Sequence, residues 1–371
     1  MCTRCPPRTP DHDRLWTTAA LRPADAAWLT TALQHAGIDA VVSDFTAKAV
    51  GTGQIGDSVR FRLNYSRGGE GAPATLVGKF PSADPTSFAT GVMLQNYLRE
   101  VRFYQQLAAG ALISTPTCLF ADIIDGGGEF VLLMEDLAPA EQGDQLNGVS
   151  LDQARLVIDE AAKLHASHWN DDGLDELSWV SGSKAAGSGG ANPGMVQALW
   201  QGCRDRYAAR IQPEWVEIGD KLSANFLRLG EIHEGPRCLT HNDFRPDNMM
   251  FATAAGGKPV TVLDWQSFAY GPGATDVAYF LAGAITPAER RANEQAFLDR
   301  YLAGLMAHGV TNYSMGDLKR DYGRGAFLLF ATAFFASMMV KQTDRGDDMF
   351  MQMLGGAAAH ILDHDALRWL S

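Results

Sequence analysis

His241, Asp243, Arg245 and Asn248 fall within one short stretch, and Asp264 closes the apolar run Pro-Val-Thr-Val-Leu-Asp-Trp-Gln that follows it. Phosphoryl transfer to a hydroxyl needs a carboxylate to accept the proton of the attacking group. It also needs an amide oxygen and a second carboxylate to hold magnesium on the nucleotide phosphates. His-x-Asp-x-x-x-x-Asn followed by a strand ending in Asp supplies these types in that order. Asp243 is therefore the candidate base. Asn248 and Asp264 are the candidate magnesium ligands, hard oxygen donors of the kind this ion takes. Arg245 is a candidate for stabilising charge on the transferring phosphoryl group. His241 reads as an imidazole that holds the loop, Asp247 as a turn residue after Pro246, and Asp276 as a brace from the next helix.

Three upstream features could complete such a site. Gly51-x-Gly53-x-x-Gly56 runs into the alternating Val59–Tyr65, so a strand follows it where a dinucleotide site would have a helix. That context favours a glycine-rich flap, with Gly51, Gly53, Gln54, Ile55, Gly56, Asp57 and Ser58 as nucleotide contacts. Taken alone, a plain hairpin turn is an equal reading. Lys79 lies mid-strand in Leu-Val-Gly-Lys-Phe and must snorkel or pair. Glu100, on the next helical stretch, is its natural partner, and an edge-strand lysine in solvent is the bland alternative. Phe130–Leu137 leaves the last strand of the first half as a candidate hinge, with backbone near Glu135 and Leu137 placed to bond adenine. An ordinary linker reads the same way.

The elements follow from periodicity. Arg22–Ala36 has helical spacing. Strands are predicted over Ala40–Val50, Val59–Tyr65, Thr75–Phe80, Thr117–Ile124 and Phe130–Met134, with one helix over Thr90–Ala108. After Leu137 helical segments dominate: about 150–170, 194–210, 213–232, 274–284, 287–308, 315–341 and 346–369. Only 238–266 interrupts them. The fold class is α+β: a small antiparallel sheet lobe, then a larger, mainly helical lobe. The expected division is a tail and helix over 1–44, a first lobe over 45–137 and a second over 138–371. Ser181–Gly190, small and glycine-rich, is the best candidate for a mobile loop.

At 371 residues the chain is long for one core. A net charge of -12 argues against nucleic acid as a partner. Five cysteines are scattered. Cys2 and Cys5 lack a second pair at zinc spacing, and the set fits a reducing cytoplasm. The N-terminus lacks the apolar core of a signal peptide. The apolar run Ala326–Val340 falls short of the ~20 residues that span a bilayer and reads as a buried helix, so no membrane is expected. His165 and His168 read as core or interface residues.

Together these stretches resemble the aminoglycoside phosphotransferase and choline kinase group of protein-kinase-like small-molecule kinases. Within it, the look is nearest to the ecdysteroid-kinase-like branch and to kinase domains fused to acyl-CoA dehydrogenases. The matching text is Gly-Thr-Gly-Gln-Ile-Gly-Asp-Ser at 51–58, Val-Gly-Lys-Phe at 77–80, Arg-Glu-Val-Arg-Phe-Tyr at 99–104 and Met-Glu-Asp-Leu at 134–137. It continues with His-Asn-Asp-Phe-Arg-Pro-Asp-Asn at 241–248, Asp-Trp-Gln at 264–266 and Gly-Pro-Gly-Ala-Thr-Asp-Val-Ala-Tyr-Phe at 271–280. The resemblance implies a two-lobed kinase fold, with ATP and Mg2+ bound between lobes and transfer to a hydroxyl. Two residues depart from the group. Asn242 stands where a small residue is usual. Gln266 replaces an acidic residue common in aminoglycoside and choline kinases and marks the ecdysteroid-like branch.

Asp264 and Asp276 stand 12 positions apart, too few for the peptide-holding segment of a protein kinase, so a small hydroxylated acceptor is expected. Trp169, Trp179, Trp200, Trp215, Phe334, Phe335, Met338, Met339, Met349 and Met351 line an apolar groove if some face the cleft, although any single one is better read as core. The preferred acceptor is a steroid-like or hydroxyacyl compound. An aminoglycoside or macrolide phosphotransferase and a catalytically silent kinase-like binding protein are the competing readings. A dinucleotide-dependent oxidoreductase rests on the glycines alone.

Overall fold

The structure, a computed structural model, describes residues 25–51, 55–124, 126–186, 192–231 and 235–371. The chain forms two compact units. The first holds residues up to 110, 115–138 and 263–267; the second holds 111–114, 139–262 and 268–371.

In the first unit, Asp25 caps helix α1 (Ala26–His35) by accepting the Trp28 N–H at 2.7 Å. Strands β1 (Val41–Val50), β2 (Gly56–Arg67) and β3 (Thr75–Pro81) follow, and β4 (Cys118–Ile123) and β5 (Phe130–Glu135) complete an antiparallel sheet of order β1-β2-β3-β5-β4. The alternation in β2 is as expected: Val59, Phe61 and Leu63 are buried with Trp28, Leu29 and Leu33 of α1, while Arg62 and Asn64 are exposed.

Two expectations need correction. β2 begins at Gly56, so Gly56, Asp57 and Ser58 already pair with Pro81, Phe80 and Lys79 of β3 and stand in the sheet, not in the turn. The single helix over 90–108 is three pieces. Helix α2 (Pro85–Met93) is capped by Asp84, Gln95 adopts a left-handed φ of 56°, helix α3 (Asn96–Arg102) follows, and Phe103–Leu107 widens into a π turn. The apolar spacing runs through the break, which is why periodicity hid it.

The second unit opens on β6 (Glu141–Gln142) and helix α4 (Leu151–Ser167), whose Ser150 and Gln153 form a capping box. Helices α5 (Pro193–Arg206), α6 (Pro213–Ala224) and the short α7 (Arg228–Glu231) replace the two long segments expected there. The stretch 238–266 holds no α-helix, only a 3-10 turn over Pro246–Asn248: β7 (Cys238–Thr240) pairs with β10 (Ala269–Gly271), and β8 (Met249–Thr253) with β9 (Gly256–Val262) and β6. Helices α8 (Ala274–Ala284), α9 (Pro287–Ala307), α10 (Met315–Met339) and α11 (Asp344–Asp363) complete the unit, with a last turn over Ala366–Leu370.

The core of this unit gathers Trp200, Phe327, Phe330, Phe334, Met349, Met351, Met353 and Leu354. Trp200, Phe334, Met349 and Met351 are therefore core residues, as the bland reading held. Gly356 of α11 lies where an added Cβ would stand 2.0 Å from the Ala282 carbonyl oxygen, so α11 and α8 touch backbone to backbone. The apolar run at 326–340 belongs to the 25-residue α10, which by length and composition is enough to cross a membrane; most of it is buried within the unit.

Candidate active site

The catalytic-loop candidates all lie in the second unit, between β7 and β8. The loop leaves β7 at Thr240, and Asp276 at the start of α8 receives it. Asp276 is fully buried and its carboxylate accepts the His241 N–H at 2.6 Å and the Asn242 N–H at 2.8 Å. His165 of α4, also fully buried, holds the same carboxylate through Nε2 at 3.1 Å and meets the Tyr301 hydroxyl through Nδ1 at 2.7 Å. Asn242 has φ of 61°, which accounts for its type: a short polar side chain tolerates the left-handed region where a branched one would not. The His241 Nδ1 accepts the Asp243 N–H at 3.2 Å, so this imidazole shapes the turn.

Asp243 is surrounded by donors. Arg245 Nε reaches Oδ1 at 3.0 Å, the Tyr279 hydroxyl reaches Oδ1 at 2.8 Å, and Asn248 Nδ2 reaches Oδ2 at 2.7 Å. Burial pushes the Asp243 carboxyl up, but Arg245, His241 and the bonds from Tyr279 and Asn248 outweigh it. The net effect holds the group below the ordinary aspartate value. It is an ionised acceptor at neutral pH, as a base must be.

Arg245 is held by two aspartates through Nε and Nη1. Its Nη1 donates to Asp247 Oδ2 at 2.8 Å and contacts Met349 Sδ at 3.1 Å. Asp247 is also more than a turn residue. It is buried and accepts the Gln145 N–H at 2.8 Å and Arg345 Nη2 at 3.1 Å. The Asn248 Nδ2 also donates to the Asp243 carbonyl at 2.9 Å, which leaves the amide oxygen as the atom able to serve a metal.

The first unit carries the other candidates. Lys79 donates to Glu100 Oε1 at 2.9 Å, lies 2.8 Å from its Oε2, and pairs with Asp264 Oδ1 at 3.2 Å. Burial lowers the lysine's proton affinity, yet the two carboxylates overcome this and hold the ammonium above its ordinary value. Glu100 is pushed up, chiefly by burial. Asp264 adopts a left-handed φ of 62°, a conformation that costs energy and is found at sites the surrounding structure enforces. A Cβ on Gly56 would lie 3.0 Å from the Phe80 carbonyl oxygen and 3.3 Å from Lys79 Cε, so this glycine clears space beside the lysine. The Asp57 carboxylate accepts the Ala83 N–H at 2.8 Å. Glu135 exchanges bonds with Thr117: its N–H donates to the Thr117 carbonyl, and its carboxylate accepts the Thr117 N–H at 2.8 Å. Gly51 has φ of 79°. Gly53 and Gln54 of the flap, Cys2 and Cys5, and residues 187–190 of the expected mobile loop lie outside the described residues.

Tyr279 and Gln266 were not among the expected site residues. Tyr279 follows Asp276 by three residues on α8, so helical spacing placed it on the same face. Gln266 donates to Glu100 Oε2 at 3.2 Å. Elsewhere in the second unit, Glu294, His360 and His364 cluster within 4.8 Å. The Glu294 carboxylate already accepts Arg290 at 2.7 Å, Tyr322 at 3.0 Å and His364 at 3.2 Å, and His360 Nε2 meets the Tyr322 carbonyl at 3.1 Å, while His360 Nδ1 and Arg290 Nε are buried without a partner among the described residues.

A family model described as the phosphotransferase enzyme family matches residues 54–310. No curated protein sequence matches the chain. Among solved structures, a putative aminoglycoside phosphotransferase from Ralstonia eutropha is 15% identical, with 94% of this chain and 99% of that one covered, at a TM-score of 0.50. An ethanolamine kinase from Plasmodium vivax is 10% identical over 88% and 83%, at 0.52. A microcompartment-associated aminopropanol kinase is 15% identical over 92% and 99%, at 0.50. At such identities the likeness is one of fold, and it is the α+β, protein-kinase-like fold expected from the sequence.

Proposed function

The chain belongs to the phosphotransferase enzyme family, and from that premise we propose that it moves the γ-phosphate of ATP to a hydroxyl of a small molecule. The observation that carries the reading is the ionised Asp243 carboxylate with its set of donors. Asp243 takes the proton of the acceptor hydroxyl. Arg245 and Tyr279 keep the carboxylate oriented and charged. Lys79, oriented by Glu100, contacts the α- and β-phosphates; Gly51, Gly53, Gln54 and Ile55 supply the flap, with Gly56, Asp57 and Ser58 facing the nucleotide from the head of β2; the backbone at Glu135 and Leu137 takes adenine.

Asp264 and Asn248 are the assigned magnesium ligands. Their free atoms are a carboxylate and an amide oxygen, which suits that hard cation. Magnesium, when bound, neutralises charge on the phosphates. The three described cysteines are buried free thiols, in keeping with a cytoplasmic setting for the reaction.

For the acceptor we favour a largely apolar hydroxyl compound, steroid-like or hydroxyacyl. Trp215, Phe335 and Met338 are only partly buried against the core of the second unit and supply adaptable apolar surface. An ATP-consumption screen tests this against sterols, hydroxyacyl-CoA thioesters, amino alcohols, macrolides and aminoglycosides. Turnover with a polycationic antibiotic alone would replace the substrate reading. Unchanged turnover in Asp243→Asn would remove the assignment of the base, and no Mg-ATP binding would leave a silent kinase-like fold.

A further inference from the structure

We propose that Gln266 is a positioning residue for nucleotide binding, its side-chain amide fixing Glu100 against Lys79 and tying the Asp264 loop to helix α3. The inference rests on the reading of Lys79 and Asp264 as nucleotide and metal contacts. Three consecutive residues of the loop each engage a different partner within the first unit. Asp264 pairs with Lys79 at 3.2 Å. Trp265 is fully buried and stacks on Phe103 of the π turn, ring centroids 3.9 Å apart and planes 6° from parallel. Gln266 donates Nε2 to Glu100 Oε2 at 3.2 Å, and its own carbonyl accepts Asn96 Nδ2 at 3.2 Å.

The residue type matters. Glu100 is 1% exposed and Gln266 5%, so their contact is shielded from water. An amide donor satisfies a buried carboxylate without adding charge. One ammonium, Lys79, already faces two carboxylates, Glu100 and Asp264. An acidic residue in this place would add a third and draw Lys79 away from the phosphates. Such a substitution should therefore harm this chain.

The test needs no acceptor. The full-length protein is titrated calorimetrically with Mg-ATP at fixed neutral pH. Gln266→Met, which keeps length and loses the donor, is expected to weaken binding about tenfold, one hydrogen bond to a charged group. Gln266→Glu is expected to weaken it further, to about a hundredfold, as a like charge enters the buried pair. Thermal unfolding confirms that each variant is folded, and if Gln266→Glu does not fold, Gln266→Met carries the test. The Gln266→Met/Glu100→Gln double variant should bind no worse than Glu100→Gln alone, because the amide acts through that carboxylate. Wild-type affinity in Gln266→Met, or additive losses in the double variant, overturns the inference. Failure of the wild-type chain to bind Mg-ATP overturns the proposed function first and this inference with it.

Discussion

The Tyr279 hydroxyl donates to Asp243 Oδ1 at 2.8 Å, on the same oxygen that Arg245 holds at 3.0 Å. One carboxylate oxygen is thus gripped by a neutral and a charged donor together. Tyr279→Phe removes the neutral one and keeps the ring. A bond to a charged group is worth about 1.5–3 kcal/mol, so acceptor-dependent ATP consumption should fall about tenfold to a hundredfold. The melting temperature should fall by only a few degrees, so both proteins are compared well below it. Equal turnover in the two proteins would show that Tyr279 is core alone.

Lys79 and Glu100 form a nearly dry pair, 7% and 1% exposed. Lys79→Met leaves Glu100 buried without its cation and should cost about 3–5 kcal/mol in urea unfolding. Lys79→Met with Glu100→Met should recover most of that loss, although neither variant should bind Mg-ATP as wild type does. A double variant less stable than the single one would show that the pair itself holds the unit together.

Gly356→Ala drives a methyl group toward the Ala282 carbonyl, which belongs to a helix backbone and cannot swing aside. The two helices must separate, and about 1–3 kcal/mol of stability should be lost, read as a lower denaturant midpoint.

His360 is held well below the ordinary imidazole value, chiefly by burial, with His364 and Arg290 adding to it. In the unfolded chain it titrates near 6.5. The native state therefore stays neutral below about that pH while the unfolded state takes up a proton, and stability falls as pH drops from about 6.5. The expected slope is about 1.4 kcal/mol per pH unit from this one residue. Burial raises Glu294, but His364 and Arg290 outweigh it and hold the carboxyl at about 2, so its stabilisation is complete above the unfolded glutamate value and is lost progressively as pH falls from there through about 2. A series of melting curves from pH 7.5 to 5.5 (about the range in which imidazole titrates) should slope less in His360→Asn than in wild type.

Much of the arrangement was legible because local rules and tertiary structure agreed. The alternation Val59, Phe61, Leu63 declared its buried face, and a lysine in an apolar strand had to snorkel or pair, and it pairs with Glu100. The break at Gln95 was not legible, because apolar spacing passes through it and only a left-handed φ at a non-glycine residue marks it. The neighbours of Arg245 were not read for a related reason. Its loop position suggested a phosphate contact, and the two aspartates that lie two residues to either side, Asp243 and Asp247, hold its Nε and Nη1. Asp247 looked like turn chemistry because its partners, Gln145 and Arg345, come from distant parts of the chain. Gln266 was visible as a departure in type, but its purpose depends on Glu100, far back in sequence.

The five residues 263–267 belong to the first unit, although the chain on either side of them belongs to the second. During vectorial synthesis the first unit emerges early but cannot be finished then. The stacking face of Phe103, the second carboxylate on Lys79 and the amide on Glu100 all wait until most of the chain has left the ribosome. A fragment ending at residue 138 would carry an open aromatic face and a half-served buried glutamate. The maturation of the lysine–glutamate pair is thereby chained to the arrival of Asp264 itself.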